Sequence, residues 1–141
     1  MSRVSDIVQD RQLFYVEESD TVTDVARHMA DLRVGAIVVM KGTLLSGVFS
    51  ERDLMKRVLL QRIDPDSTPV AKVMSTNLVT VDESASLEEA MELMQSNNCR
   101  HLPVMRHDAV VAFLSMRDLM NYELASKTEE LAHMRTYIAG S

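Results

Sequence analysis

Gly47–Met55 reads GVFSERDLM, and Ala112–Met120 reads AFLSMRDLM. Each stretch is an apolar run closed by Ser-x-Arg-Asp and continued by Leu-Met. The two lie 65 residues apart, and the same offset pairs Val16 with Val81, Glu18 with Glu83, Ser19 with Ser84, Met29 with Met94 and Val39 with Val104. The register holds without a gap from Leu13/Leu78 to Met55/Met120. The chain is therefore two copies of one unit of about 60 residues. A unit that small is marginal alone, so the copies are expected to share a core.

Each copy reads as β-α-β-β-α. LFYV (Leu13–Val16) and LVTV (Leu78–Val81) are short strands rich in β-formers. A helix follows, capped at Thr21 or Ser86. Its apolar stripe is Val22, Val25, Ala26 and Met29 in copy one, and Leu87, Ala90, Met91 and Met94 in copy two. Two strands joined by a tight turn come next: AIVVM and LLSGVFS around KGT, then HLPVM and AVVAFLS around RHD. The closing helix opens at Ser-x-Arg-Asp. The polar linker Gln61–Pro69 carries two prolines and joins the copies. The expected division is 1–62, 63–122 and a helical tail, 123–141. Short helices in VSDIV and PVAKVM are predicted to lead into copies one and two. From Met116 to Ile138 the sequence has no helix breaker and an imperfect apolar face. That tail is one long or twice-broken helix, packed on its own domain or docked on a partner subunit.

The formal net charge of -6 gives no general attraction for a phosphate backbone, so nucleic acid is not an expected partner. No apolar run approaches the roughly 20 residues of a membrane span. The N-terminus lacks the apolar core of a secretory signal. Cys99 is the only cysteine, which rules out an internal disulfide, and it is expected as a buried small apolar residue. A cytoplasmic protein is the resulting expectation. His28, His107 and His133 are scattered and expected at the surface. No His, Cys and carboxylate spacing suggests a metal site.

Ser-x-Arg-Asp at a strand-to-helix junction supports two readings. In the first, Ser50 and Ser115 are N-caps, and Asp53 and Asp118 at the third helical position close a capping box. In the second, the helix start is an anion seat whose free N–H groups face a ligand. Ser supplies a hydroxyl, Arg52 or Arg117 a phosphate fork, and the aspartate two acceptors suited to neighbouring ribose hydroxyls. Aspartate is shorter than the acid a capping box prefers, and a cap has no need of the arginine. Catalysis is the weakest reading. No P-loop or glycine-rich dinucleotide turn is present, and GVFSE has Arg52 where a nucleophile elbow needs glycine.

The repeat resembles a tandem pair of cystathionine-β-synthase (CBS) domains, a Bateman module. GVFSERD matches that family's Gly-h-h-[Ser/Thr]-x-x-Asp motif, where h is apolar; AFLSMRD has Ala112 in the glycine position. CRHLPV (Cys99–Val104) is similar to the family's strand ending in Leu-Pro-Val, and copy one lacks that proline. The resemblance covers residues 4 to 122. It implies an α+β fold of two β-α-β-β-α units packed sheet to sheet about a pseudo-two-fold axis. Two clefts between the units would bind an adenosine compound: AMP, ADP, ATP, NAD or S-adenosylmethionine. Asp53 and Asp118 would hold ribose, Ser50 and Ser115 would lie beside ribose and phosphate, and Arg52 and Arg117 would reach phosphate. Tyr15, Val16, Gly35, Ala36 and Ile37 would surround adenine in one cleft, and Thr80, Val81, His101, Leu102 and Pro103 in the other, with Arg100 nearby. The module would be a non-catalytic sensor, and a homodimer, acting on a separate regulated protein. A scaffold that keeps the fold without a ligand is the alternative. Ala112 and the proline missing from copy one make the clefts inequivalent, with the tighter site expected in copy two.

Overall fold

The computed structural model describes the backbone of residues 1–140 and the side chains through Ile138. Helix α1 (Val4–Val8) precedes strand β1 (Tyr15–Glu17), helix α2 (Val22–Leu32) and the hairpin β2 (Ala36–Lys41) and β3 (Leu44–Ser50). A short helix α3 (Glu51–Asp53) then loosens into a π-helical stretch, Leu54–Leu59. A 3-10 turn (Val70–Lys72) opens copy two, followed by β4 (Val81–Asp82), α4 (Leu87–Ser96), β5 (His101–Arg106), β6 (Ala109–Ser115) and α5 (Met116–Gly140). The sheets run β1-β2-β3 and β4-β5-β6, each with a parallel first pair and an antiparallel second pair. Strands β3 and β6 contact each other across the two units.

The duplication extends to backbone detail. Thr21 and Ser86 cap α2 and α4, each accepting the N–H of the third helical residue. Those helices run out at Arg33 and Asn98, which share positive φ. Both hairpins slip register at the same place, Val39/Met40 and Val104/Met105. Their turns carry positive φ at Gly42 and His107. One ladder differs. Tyr15 pairs with Val38, but the equivalent pair of Thr80 and Pro103 is missing, and β4 starts one residue later. Pro103 has no N–H to donate. The first strands also lie further along than LFYV and LVTV imply, because only their C-terminal residues reach the ladder.

Each unit has a core between its sheet and helices. Val16, Val22, Val25, Met29, Ile37, Val39 and Phe49 form the first; Val81, Ala90, Met94, Leu102, Val104 and Leu114 form the second. The short leading segments are exchanged between them. Val4 and Val8 precede copy one in sequence but pack in the second core. Val70 and Val73 precede copy two but pack in the first. The docking is equivalent on both sides: Val4 and Ser5 donate N–H bonds to Ala85 and Glu83, while Val70 and Ala71 donate to Asp20 and Glu18. Val4 and Val70 are fully buried. At about 25 cal/mol per Å² of apolar surface, this exchange ties the two units into one structure.

Candidate functional site

Both Ser-x-Arg-Asp clusters lie where the third strand of a unit turns into helix. The Ser50 hydroxyl accepts the Asp53 N–H at 3.2 Å, and the Asp53 carboxylate accepts the Ser50 N–H at 3.0 Å. Copy two repeats the box at 3.0 and 2.8 Å. Aspartate is therefore long enough to close the reciprocal cap. The first helical N–H is also taken: Glu51 donates to the Gly35 carbonyl at 2.9 Å and Met116 to the Arg100 carbonyl at 2.8 Å. The open anion seat expected from the sequence is thus corrected. In each copy, two of the first three helical N–H groups are spent within the chain.

Beyond the caps the two carboxylates diverge. Asp53 is only 7% exposed. The Ser75 hydroxyl donates to its two oxygens at 3.1 and 3.3 Å, the Ser50 hydroxyl donates at 3.1 Å, and Arg57 Nε stands 3.5 Å away. Ser75 arrives because the segment leading into copy two pairs with β3, exchanging N–H···O bonds with Val48 at 3.0 and 2.9 Å. Gly47 makes this approach possible. A Cβ there would stand 2.6 Å from Met74 Sδ and 2.8 Å from the Ser75 carbonyl oxygen. The face of β3 beside Asp53 is thus covered by Met74 and Ser75.

In copy two, Ala112 stands where copy one has Gly47, and among the described residues no bridge to β6 matches the pairing of Val48 with Ser75. The leading segment turns away after Val8 and delivers Arg11 instead. Its guanidinium grips Asp118 as a fork, Nη1 at 2.8 Å from Oδ2 and Nη2 at 3.0 Å from Oδ1. Both side chains remain partly open to solvent, 40% for Arg11 and 21% for Asp118. Burial opposes the charge on Asp118. The Arg11 hydrogen bond, the Ser115 N–H and hydroxyl, and the Arg11 charge outweigh it and hold the carboxyl below its usual range.

His101 begins the strand facing this carboxylate and stacks on Phe113, with ring centroids 5.1 Å apart and planes 23° from parallel. Burial lowers its pKa; Arg100 pushes the same way, and Asp118 and Glu51 pull against it. Glu51 belongs to copy one, so its charge reaches His101 from the other unit. Copy one has Ala36 in the position of His101 and no equivalent ring pair among the described residues.

The other expected adenine contacts separate by strand alternation. Val16 and Ile37 point into the first core, and Val81 and Leu102 into the second. Their side chains are committed to the cores, which leaves their backbone groups for any ligand contact. Ala36 and Pro103 are buried, Tyr15 and Thr80 are exposed, and Gly35 lies beside the Glu51 carboxylate. Arg52, Arg100 and Arg117 are exposed. Met120, at the end of the second motif, is 60% exposed. Cys99 is half-buried, not fully buried as expected, and burial pushes its thiol pKa up. His28, His107 and His133 are at the surface as expected. Among the described residues no group of His, Cys, Asp and Glu could hold a metal ion.

Arg11, Ser75, Arg57 and Phe113 were not singled out from the sequence. Arg11 and Ser75 lie just before the ungapped repeat begins, where the copies stop matching. That break was the available signal.

The CBS-domain profile matches residues 4–60 and 70–125. The chain belongs to the CBS-domain family. It is 33% identical over 128 residues to the CBS domain-containing protein YhcV of Bacillus subtilis, covering 91% of this chain and 90% of that one. It is 31% identical to the mitochondrial CBS domain-containing protein CBSX3 of Arabidopsis thaliana, spanning 93% of this chain but 66% of the relative. It spans 23% of a second Arabidopsis relative, CBSCBSPB2. Among solved structures, a putative signal-transduction protein with CBS domains from Burkholderia ambifaria superposes with a TM-score of 0.83 at 29% identity, covering 88% of this chain and 95% of that one. The CBS domain protein PAE2072 of Pyrobaculum aerophilum, solved in complex with AMP, gives 0.77 at 30% identity, covering 89% and 99%. No described helix of this CBS pair is long and apolar enough to cross a membrane.

Proposed function

We propose that this CBS pair is a non-catalytic regulatory module that binds an adenosine nucleotide in the cleft built around Asp118. The observation that carries this reading is the contrast between the two carboxylates. Asp53 is buried and engaged by Ser50, Ser75 and Arg57, whereas Asp118 is partly open and, beyond its Ser115 cap, is engaged by Arg11. A ribose needs two acceptor oxygens, and Arg11 occupies both until a ligand arrives. A phosphate nearby offers the guanidinium an equivalent partner. Binding then exchanges one charge-assisted pair for another, with Ser115, Arg117, Arg100 and His101 within the same end of the cleft. The AMP complex of PAE2072 supports an adenosine ligand. The signal would be a population shift: a ligand spanning both units favours one relative orientation of the pair. Two copies would associate through the repeated exposed pairs Met55/Leu59 and Met120/Leu124 and pass that change to a regulated protein.

A ligand-free scaffold is the second reading. It is favoured by the closed capping boxes of both copies and the covered face of β3 beside Asp53. Titration calorimetry of ligand-stripped protein with AMP, ATP, NAD and S-adenosylmethionine separates the two. Saturable heat that disappears in Asp118→Asn supports the sensor. No heat from any ligand, with the fold intact, supports the scaffold.

A further inference from the structure

Helix α5 is anchored to the second unit at its start. Leu119 is buried in the second core, and the Tyr122 hydroxyl lies 3.2 Å from that of Ser2. From Glu123 to Ile138 every residue is exposed, yet the helix continues unbroken to Gly140. In proteins most helical stability comes from packing of an apolar face rather than from helix propensity. That face exists here. Met120, Leu124, Leu131, Met134 and Ile138 are each at least 55% exposed and, with Lys127 between Leu124 and Leu131, fall at alternating spacings of four and three. This is a heptad seam with Leu124, Leu131 and Ile138 at a, and Met120, Lys127 and Met134 at d. Lys127 interrupts it in a tolerable way: its ammonium leans 3.6 Å from Glu123 Oε1, off the seam, leaving its methylenes on it.

We propose that the outer half of α5 pairs with the same segment of a second copy as a parallel, in-register two-stranded coiled coil. The flanking charges select both the occupant and its direction. In a parallel pair each g residue meets the partner's e residue five positions on, which sets Glu130 against the partner's Arg135 and Glu123 against the partner's Thr128. An antiparallel pair would instead bring the g positions, two of them glutamates, toward one another. The outer segment carries Glu123, Glu129 and Glu130 against Lys127 and Arg135, so it lacks the cationic face that would seat it on an anionic membrane. The proposal rests on association of two copies, but not on nucleotide binding.

Single cysteines at Leu124, Leu131 and Met134, each in the full chain with Cys99→Ala, test it under mild oxidation alongside sedimentation. A parallel register brings every seam residue against its own copy, so all three variants should form disulfide-linked dimers faster than an outward Glu129→Cys control. Lys127→Leu should tighten the dimer, and Arg135→Glu should loosen it until Glu130→Arg restores it. A dimer whose seam cysteines cross-link no faster than the control overturns the coiled coil and leaves pairing through another surface. A monomer at all concentrations overturns both. Cross-linking at one seam position alone overturns the parallel register.

Discussion

Asp53 and Asp118 occupy the same position of the same motif and make the same backbone cap, yet one is closed and the other is held by a latch. The difference comes from the segments that precede each copy. The segment leading into copy two lays Met74 and Ser75 along β3, which demands glycine at position 47. The N-terminal segment leaves β6 alone and sends Arg11 across 107 residues of sequence to Asp118. Duplication preserved the cap, while the flanking sequence decided whether the carboxylate stays available. A motif shared by two copies thus specifies a local fold in both and a binding group in at most the copy whose surroundings leave it accessible.

The contrast can be broken most forcefully at Asp53. Asp53→Ala leaves the Ser75 hydroxyl and the Ser50 N–H without their buried acceptor, and should cost about 2–3 kcal/mol. Asp118→Ala should cost about 1 kcal/mol, since its cap is lost at a partly open site. Denaturant melts of both variants check this, and equal losses would erase the proposed difference. Gly47→Ala should destabilise by about 1–3 kcal/mol, because the backbone of that segment leading into copy two must move to admit the methyl group. Ala112→Gly should have a smaller effect in the same assay. Asp118→Asn should lower nucleotide affinity at least about tenfold, equivalent to about 1.4 kcal/mol, while Asp53→Asn should leave it nearly unchanged. Calorimetry reads both, and the reverse order would place the ligand in the first cleft.

The smallest effects concern pH and Arg11. The folded Asp118 titrates below its ordinary value of 3.8. Its contribution is therefore full above that value and lost as pH falls through the lower folded one. Arg11→Ala should cost no more than about 1 kcal/mol at neutral pH, given the exposure of the pair, and its deficit should shrink in acid. His101 titrates below 6.5 in the fold, so its neutral form stabilises above that value and the benefit fades as pH falls below it. His101→Gln should flatten that part of the stability profile, and copy one, with Ala36 there, should show no counterpart.

Much of this was legible before any coordinates. The gap-free offset from Leu13 to Met120 specified two equivalent β-α-β-β-α units. Apolar runs flanking tight turns placed Ile37 and Leu102 in strands, and helical spacing placed Met29 and Met94 in cores. Ser50 and Ser115 were identifiable as caps because capping depends on residues three apart in the chain. These are local interactions, and the sequence by itself determined them. Tertiary structure decided which unit each leading segment packs on, since Val4 and Val70 are equally apolar and either core could accept them by composition. It also decided that Arg11 meets Asp118 and Ser75 meets Asp53. Those contacts join segments far apart in the chain, where periodicity carries no information and only the exchanged packing brings the charges together.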